Sequence, residues 1–174
     1  MLEKIKYNIG RFLLKLRLKK KPGEQTVYNG LITKSKRVFI IMPEKLAGFD
    51  EAIDVVRYFT LHGKKVAILI KKQLSEKVSD NVAKIEYDEN DITRLNLPSK
   101  SLNEKLNKIE CDLVIDLNRP GKLFFAAASN SVKGKIRFAS HNGELLEFYN
   151  FHYHSSAKEP AVFYRSLISF FSMF

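Results

Sequence analysis

The chain of 174 residues is long enough for one compact domain plus an appendage, and 45% apolar content with no low-complexity tract excludes a disordered polymer. One cysteine, Cys111, excludes an internal disulfide and a cysteine-built zinc site, and its place at the entry to an apolar strand suggests a buried structural thiol. The net charge of +11 is concentrated at the start, where residues 1–22 carry eight basic residues against Glu3 alone.

That first segment, "MLEKIKYNIGRFLLKLRLKKK", has helical periodicity: Leu2, Ile5, Ile9, Phe12, Leu13 and Leu16 recur at three- and four-residue steps. Lys4, Arg11 and Lys15 lie on the other side with Tyr7, Leu14 and Leu18 close beside them, so the amphipathicity is imperfect, and Lys19, Lys20 and Lys21 follow before Pro22-Gly23 ends the helix. Gly10 weakens it by about 1 kcal/mol relative to alanine. Three readings of this basic arm, residues 1–23, remain open. It packs on its own domain with lysines in solvent, it lies on an anionic membrane surface through those six cations, or it binds nucleic acid. The last is disfavoured, because aromatics and arginines are not interleaved as stacking platforms. No apolar run approaches the ~20 residues that span a bilayer, and the basic start lacks the apolar core and cleavage site of a secretory signal. A cytoplasmic protein, free or peripheral to the inner membrane, is the resulting expectation.

Residues 24–35 read as a linker, and residues 36–174 as the domain. "RVFIIM" (37–42) is a first strand ended by Pro43. "FDEAIDVVRYFTLHG" (49–63) is a helix with Ala52, Ile53, Val56, Phe59 and Thr60 on its apolar face and Gly63 at its C-terminal end. "KVAILI" (65–70) is a second strand, "KQLSEKVSD" a polar helix or turn, and "KIEY" (84–87) a weak third strand. A helix over 99–109 leads to "DLVIDL" (112–117), the fourth strand. "KLFFAAASNS" (122–131) is a helix and "GKIRF" (134–138) a fifth strand. "LEFYNFHYH" reads as an edge strand or an extended connection, and "EPAVFYRSLISFFSMF" as a helix with Pro160 in its first turn.

Strands apolar on both faces and alternating with helices need cover on both sides. The expected fold is therefore α/β: a single Rossmann-like, doubly wound, mostly parallel sheet with a basic N-terminal helix. In such sheets ligands bind beyond the carboxyl ends of the strands. Two tips there carry chemistry. After the first strand come Lys45, Gly48 and Asp50; after the fourth come Asp116, Asn118, Arg119 and Lys122. Helix N-termini favour phosphate or carboxylate, and Arg119 and Lys122 add to that field. Asp50 also reads as a first-turn carboxylate that complements the helix dipole, and Asp116 as a structural turn acceptor. Neither tip carries a glycine-rich dinucleotide fingerprint or a P-loop, so nicotinamide and ATP sites are disfavoured. His152 and His154 have no third ligand near them in sequence, and no metal site is expected; His62 sits where it would meet a helix C-terminal dipole, and His141 in a loop.

The run "CDLVIDLNRPGKLFFAAASNSVKGKIRF" resembles the N-terminal domain of the family 9 glycosyltransferases, the lipopolysaccharide heptosyltransferases. There an apolar strand ends in an Asp-Leu-Gln-Gly-like tip, a small-residue helix follows, and a Lys-Arg-Ile-Gly-Phe-like strand comes next. The resemblance extends over roughly 36–174. It implies an acceptor-side Rossmann domain, with the nucleotide sugar held by a second domain and no cofactor of its own. It also implies a role in lipopolysaccharide or cell-envelope glycan synthesis. The family's Gly-Asp pair, whose Asp is the acceptor's general base, is matched by Gly48-Phe49-Asp50 with one residue inserted, which makes Asp50 the base candidate. Lys45, Gly48, Asn118, Arg119 and Lys122 become candidate acceptor contacts, with Asn118-Arg119 standing where the family has Gln-Gly.

Two hypotheses follow. In one, the chain is a glycosyltransferase half that is inactive alone and works with a second glycosyltransferase domain or as a homo-oligomer through its C-terminal helix. In the other, it is a non-catalytic binding or scaffold protein whose arm rests on the inner membrane. The apolar excess of the last helix (Val162, Phe163, Leu167, Ile168, Phe170, Phe171, Phe174) predicts an exposed patch where a partner would dock.

Overall fold

A computed structural model describes residues 2–18, 30–119, 121–140 and 143–173. Six strands form one sheet: β1 (Arg37–Ile41), β2 (Lys65–Lys71), β3 (Ala83–Tyr87), β4 (Glu110–Asp116), β5 (Lys133–Ala139) and β6 (Phe151–His152). They lie in the order β3-β2-β1-β4-β5-β6, and every neighbouring pair is parallel. The helices are α1 (Leu2–Arg17), α2 (Leu31–Lys34), α3 (Phe49–Leu61), α4 (Lys100–Leu106), α5 (Leu123–Ser131) and α6 (Pro160–Phe171). This is the doubly wound Rossmann-like fold expected from the alternation of apolar strands and helices. The ambiguous "LEFYNFHYH" resolves into a 3-10 turn, Leu146–Phe148, and the two-residue edge strand β6.

Alternation along the strands sends side chains to two cores. Val38, Ile40, Ile68, Ile115 and Phe138 face one side, where α3 and α6 cover them with Phe59, Phe163, Leu167 and Phe171. Phe39, Ile41, Leu69 and Val114 face the other, under Leu102 and Leu106 of α4 and Phe124, Phe125 and Ala128 of α5. Helix α3 buries Val55 in addition to Ala52, Ile53, Val56 and Phe59, whereas Thr60 is exposed and donates its hydroxyl to Val56 O at 3.0 Å. Gly63 follows the helix with φ +70° and donates to Thr60 O, and the His62 ring Nδ1 lies 2.7 Å from Tyr58 O, so the helix C-terminus is met as expected.

A third core explains the composition of α5. Its Leu123, Ala126 and Ala127 pack outward against Leu14 of α1 and Leu145, Phe148 and Tyr149. Helix α5 is thus buried on both faces, and "LFFAAAS" is apolar all round because no side of it meets water. Where α5 gives way to β5, the half-buried Arg137 guanidinium donates to Ser129 O at the end of the helix and to Val132 O and Gly134 O beyond it.

Helix α1 packs in a way its periodicity did not predict. Tyr7, Gly10, Leu14 and Leu18 face the domain, whereas Leu2, Ile5, Ile9, Phe12 and Leu16 are exposed. A Cβ on Gly10 would lie 2.2 Å from Leu95 O and 3.0 Å from Leu123 Cδ2, so the glycine that weakens the isolated helix permits its close approach. Arg11, expected as a lipid contact, instead binds the domain. Its Nε donates to Glu147 Oε1 at 2.8 Å and its Nη2 to Glu144 O at 3.0 Å, while Lys15 Nζ reaches Glu147 Oε2 at 2.7 Å. Lys4 is exposed; Lys19, Lys20 and Lys21 lie outside the described residues.

Two further expectations are corrected. Within the stretch read as a linker, α2 forms a helical turn and Ile32 inserts into the core beside Val38. The apolar excess of α6 is not an exposed patch: Phe163, Tyr164, Leu167 and Phe171 are buried, and the half-buried Phe170 packs in tilted ring contacts against Phe151 and Tyr153 at the sheet edge. Among the described residues of this segment, only Val162 and Met173 are exposed large apolar side chains; Phe174 lies outside them.

Candidate functional site

The chain leaves β1 toward α3 on one face and leaves β4 toward α5 on the other. These adjacent parallel strands therefore part at their carboxyl ends, and a crevice opens at this switch point. A pocket of about 610 Å³ fills it. That lies within the roughly 300–1,000 Å³ typical of small-molecule sites. The loop after β1 lines it with Pro43, Glu44, Lys45 and Ala47, and the loop after β4 with Asn118, Arg119 and Lys122. The third wall is Lys158 and the first turn of α6, through Pro160, Phe163 and Tyr164.

Asn118 fastens the two loops together. Its Nδ2 donates to Met42 O at 3.1 Å and to Asp116 Oδ1 at 2.9 Å, and its Oδ1 accepts from Glu44 N at 3.2 Å. Both amide hydrogens and the carbonyl are engaged, and the side chain is buried. Asn118 therefore shapes the pocket, and its amide is not free for the acceptor contact expected of it. Asp116 is the structural turn acceptor foreseen for it. Fully buried, it receives Asn118 N at 3.0 Å and the Tyr149 hydroxyl, while its carbonyl receives Ser140 N.

Gly48 has a similar structural role. Its φ of +77° belongs to the left-handed region, and a Cβ there would lie 2.3 Å from Pro160 Cβ and 3.2 Å from Tyr164 Cε2. The missing side chain lets the β1–α3 loop touch α6, which ties the first wall to the third. Tyr164 secures α6 in turn, its hydroxyl donating to Leu117 O at 2.8 Å; burial pushes that phenol well above its ordinary pKa and keeps it a neutral donor.

The charged groups decide what the pocket can hold. Lys45, Arg119, Lys122 and Lys158 line it against the single carboxylate of Glu44, which pairs with Lys122 Nζ at 2.5 Å. The guanidinium of Arg119 lies 3.9 Å from the centre of the Phe163 ring and donates to Ala157 O at 3.1 Å, so it is held in one orientation before any ligand arrives. The amino-terminal ends of α5 and α6, at Lys122 and Pro160, also border the pocket and add positive potential. An anion is the ligand class that this field favours.

Asp50 stands apart. It lies in the exposed first turn of α3 with Glu51, where both complement the helix dipole, and it does not line the pocket. Of the residues expected at the site, the structure brings together Lys45, Asn118, Arg119 and Lys122. Glu44, Lys158, Phe163 and Tyr164 were not foreseen. Glu44 is adjacent in sequence to Lys45 and could have been included, but Lys158 and α6 reach the pocket from about forty residues away in sequence, with no local signal. His152 Nε2 lies 3.1 Å from Leu146 O, and no cluster of three metal-ligating side chains occurs among the described residues. His141 lies outside them.

No family model matches this chain, and no curated protein sequence does. A solved structure does resemble it: the crystal structure of the glycosyl transferase family 9 from Veillonella parvula DSM 2008, at a TM-score of 0.58 and 14% identity. The match covers 77% of this chain and 40% of that one, so the chain corresponds to well under half of that protein's length. At this identity the likeness is one of fold, and the α/β architecture is glycosyltransferase-like.

Proposed function

We propose that this chain is the acceptor-side lobe of a family 9-like glycosyltransferase, and that its switch-point pocket binds an anionic saccharide. One observation carries the reading: four cations from three separate segments converge on one pocket where the two central strands part. The acceptor is then a phosphorylated or carboxylated glycan of the cell envelope, of the lipopolysaccharide kind that the family resemblance implies. The nucleotide-sugar donor belongs to a second Rossmann-like lobe across the cleft, and the 174-residue chain alone is not expected to transfer sugar. Asp50, in the exposed first turn of α3 and outside the pocket lining, is the base candidate that the family resemblance implies; in the assembled cleft it would accept the proton of the acceptor hydroxyl.

Calorimetric titration of the chain with a hexose phosphate, the neutral hexose and a nucleotide sugar tests this. The hexose phosphate should bind, the neutral hexose should bind much more weakly, and Asp50→Asn should leave the affinity unchanged. Sugar transfer by the chain unaided, or no preference for the anionic sugar, would overturn the reading.

A further inference from the structure

Five of the nine exposed large apolar side chains among the described residues lie on the outward face of α1. Leu2, Ile5, Ile9, Phe12 and Leu16 are 67%, 50%, 45%, 60% and 45% exposed, respectively. They recur at three- and four-residue steps and so form one ridge, opposite the Tyr7–Gly10–Leu14 face that grips the domain. The helix is therefore amphipathic twice over, with one apolar stripe spent on α5 and a second presented to solvent.

The occupant of the second stripe is indicated by what borders it. Projected at 100° per residue, Arg17 falls along one edge of the ridge and Lys4 along the other, residues 19–21 add three lysines in sequence, and the flanking Lys6 and Lys15 are paired with Glu3 and Glu147. Long basic side chains flanking an apolar ridge can keep their charges at headgroup level while the ridge enters the acyl boundary. A second copy of the chain would meet the ridge with the same cations, and like charges would oppose the contact. A nucleic acid would find four aliphatic side chains and one phenylalanine in place of stacking platforms. The helix is also not built to cross a membrane: none in the structure is long and apolar enough among the described residues.

We infer that α1 is an in-plane docking surface for an anionic lipid bilayer: its Leu2–Leu16 ridge enters the headgroup boundary while its inner face stays packed on α5. The inference does not depend on what the switch-point pocket binds. It differs from the simple expectation of a basic arm on lipid, since Arg11 is committed to Glu144 and Glu147 and the exposed apolar ridge makes the contact.

The whole chain can be tested by flotation with vesicles of phosphatidylcholine, with and without phosphatidylglycerol. Because the chain has no tryptophan, Phe12→Trp places a single indole on the ridge. Its emission should shift to the blue with the phosphatidylglycerol vesicles only. Flotation should weaken as salt rises from ~0.1 to ~1 M, which shortens the Debye length from about 10 to about 3 Å. Phe12→Asp should abolish flotation and leave the unfolding midpoint unchanged, because the side chain is more than half exposed. Absence of flotation, equal flotation by Phe12→Asp, or a self-association that Phe12→Asp dissolves in place of vesicle binding would each overturn the inference.

Discussion

The Tyr149 hydroxyl donates a 2.5 Å hydrogen bond to Asp116 Oδ2, and both side chains are buried at the carboxyl end of β4. This bond holds the carboxylate that in turn orients Asn118 and the loop on which Arg119 is carried. Tyr149→Phe removes this donor from a buried carboxylate. It should destabilise the domain by about 1.5–3 kcal/mol, the range for hydrogen bonds to charged groups. Denaturant titration measures the loss, and weakened anion binding should accompany it, because the clip at Asn118 loosens.

Burial raises the phenols of Tyr149, Tyr87 and Tyr164 above their ordinary value, with the charge of Asp116 adding to the effect. A folded-state pKa above the unfolded one means that the native chain keeps protons which the unfolded chain releases. Stability is therefore full below about pH 10 and falls as pH rises beyond it. The thermal midpoint followed by circular dichroism should decline steeply above that pH, and Tyr149→Phe should make the decline shallower.

Gly10→Ala tests the contact between α1 and the loop that carries Leu95. Helix propensity alone gives a gain of about 1 kcal/mol, but the added Cβ would meet Leu95 O at 2.2 Å. Overpacking costs typically 1–3 kcal/mol, and a backbone carbonyl yields less easily than a side-chain tip. A net loss is the expected sign, read as a lower denaturant midpoint; a higher midpoint would show that α1 does not lie against this loop.

Arg119→Ala should weaken hexose-phosphate binding by about tenfold, corresponding to ~1.4 kcal/mol. Arg119→Lys should restore it only in part, because a lysine keeps the charge but loses the guanidinium's place over the Phe163 ring and its Nη1 bond to Ala157 O. Calorimetry on both variants separates charge from orientation.

Glu147 is desolvated by its position under α1, which alone would raise its pKa. Its bonds to Lys15 and Arg11 outweigh that effect and hold the carboxyl below the usual range. A depressed folded-state pKa gives stability that is present above about pH 4.3 and lost as pH falls further. The pairs are partly exposed, so the contribution is small, about 0.2–1 kcal/mol. Amide exchange in α1 should quicken below that pH before the sheet strands respond.

The sheet was legible because its signals are local. "RVFIIM", "KVAILI" and "DLVIDL" are apolar on both faces, and only a doubly covered parallel strand needs that pattern; Gly63 and Pro160 fell where helix ends require them. The tips were legible too, since topology puts ligands at the carboxyl ends of such strands. What could not be read was set by distant contact. Periodicity grouped Leu2, Ile5, Ile9, Phe12, Leu13 and Leu16 on one face of α1; all but Leu13, which packs toward the domain, are exposed, and periodicity could not show that Gly10, with no side chain at all, marks the face that packs. The fates of Asn118 and Gly48 likewise depend on Met42 and Pro160, residues remote in sequence whose proximity follows from the fold and not from any motif.

The double burial of α5 bears on how this protein is handled at the bench. A shortened version that begins at β1, made to discard the basic segment, would strip Tyr7, Leu13, Leu14 and Leu18 from the cluster around Leu123, Ala126 and Ala127, on a helix with no polar side to turn outward. Such a fragment should retain its strands yet precipitate or pair with itself, and its insolubility would report a missing coat, not a fault in the sheet beneath.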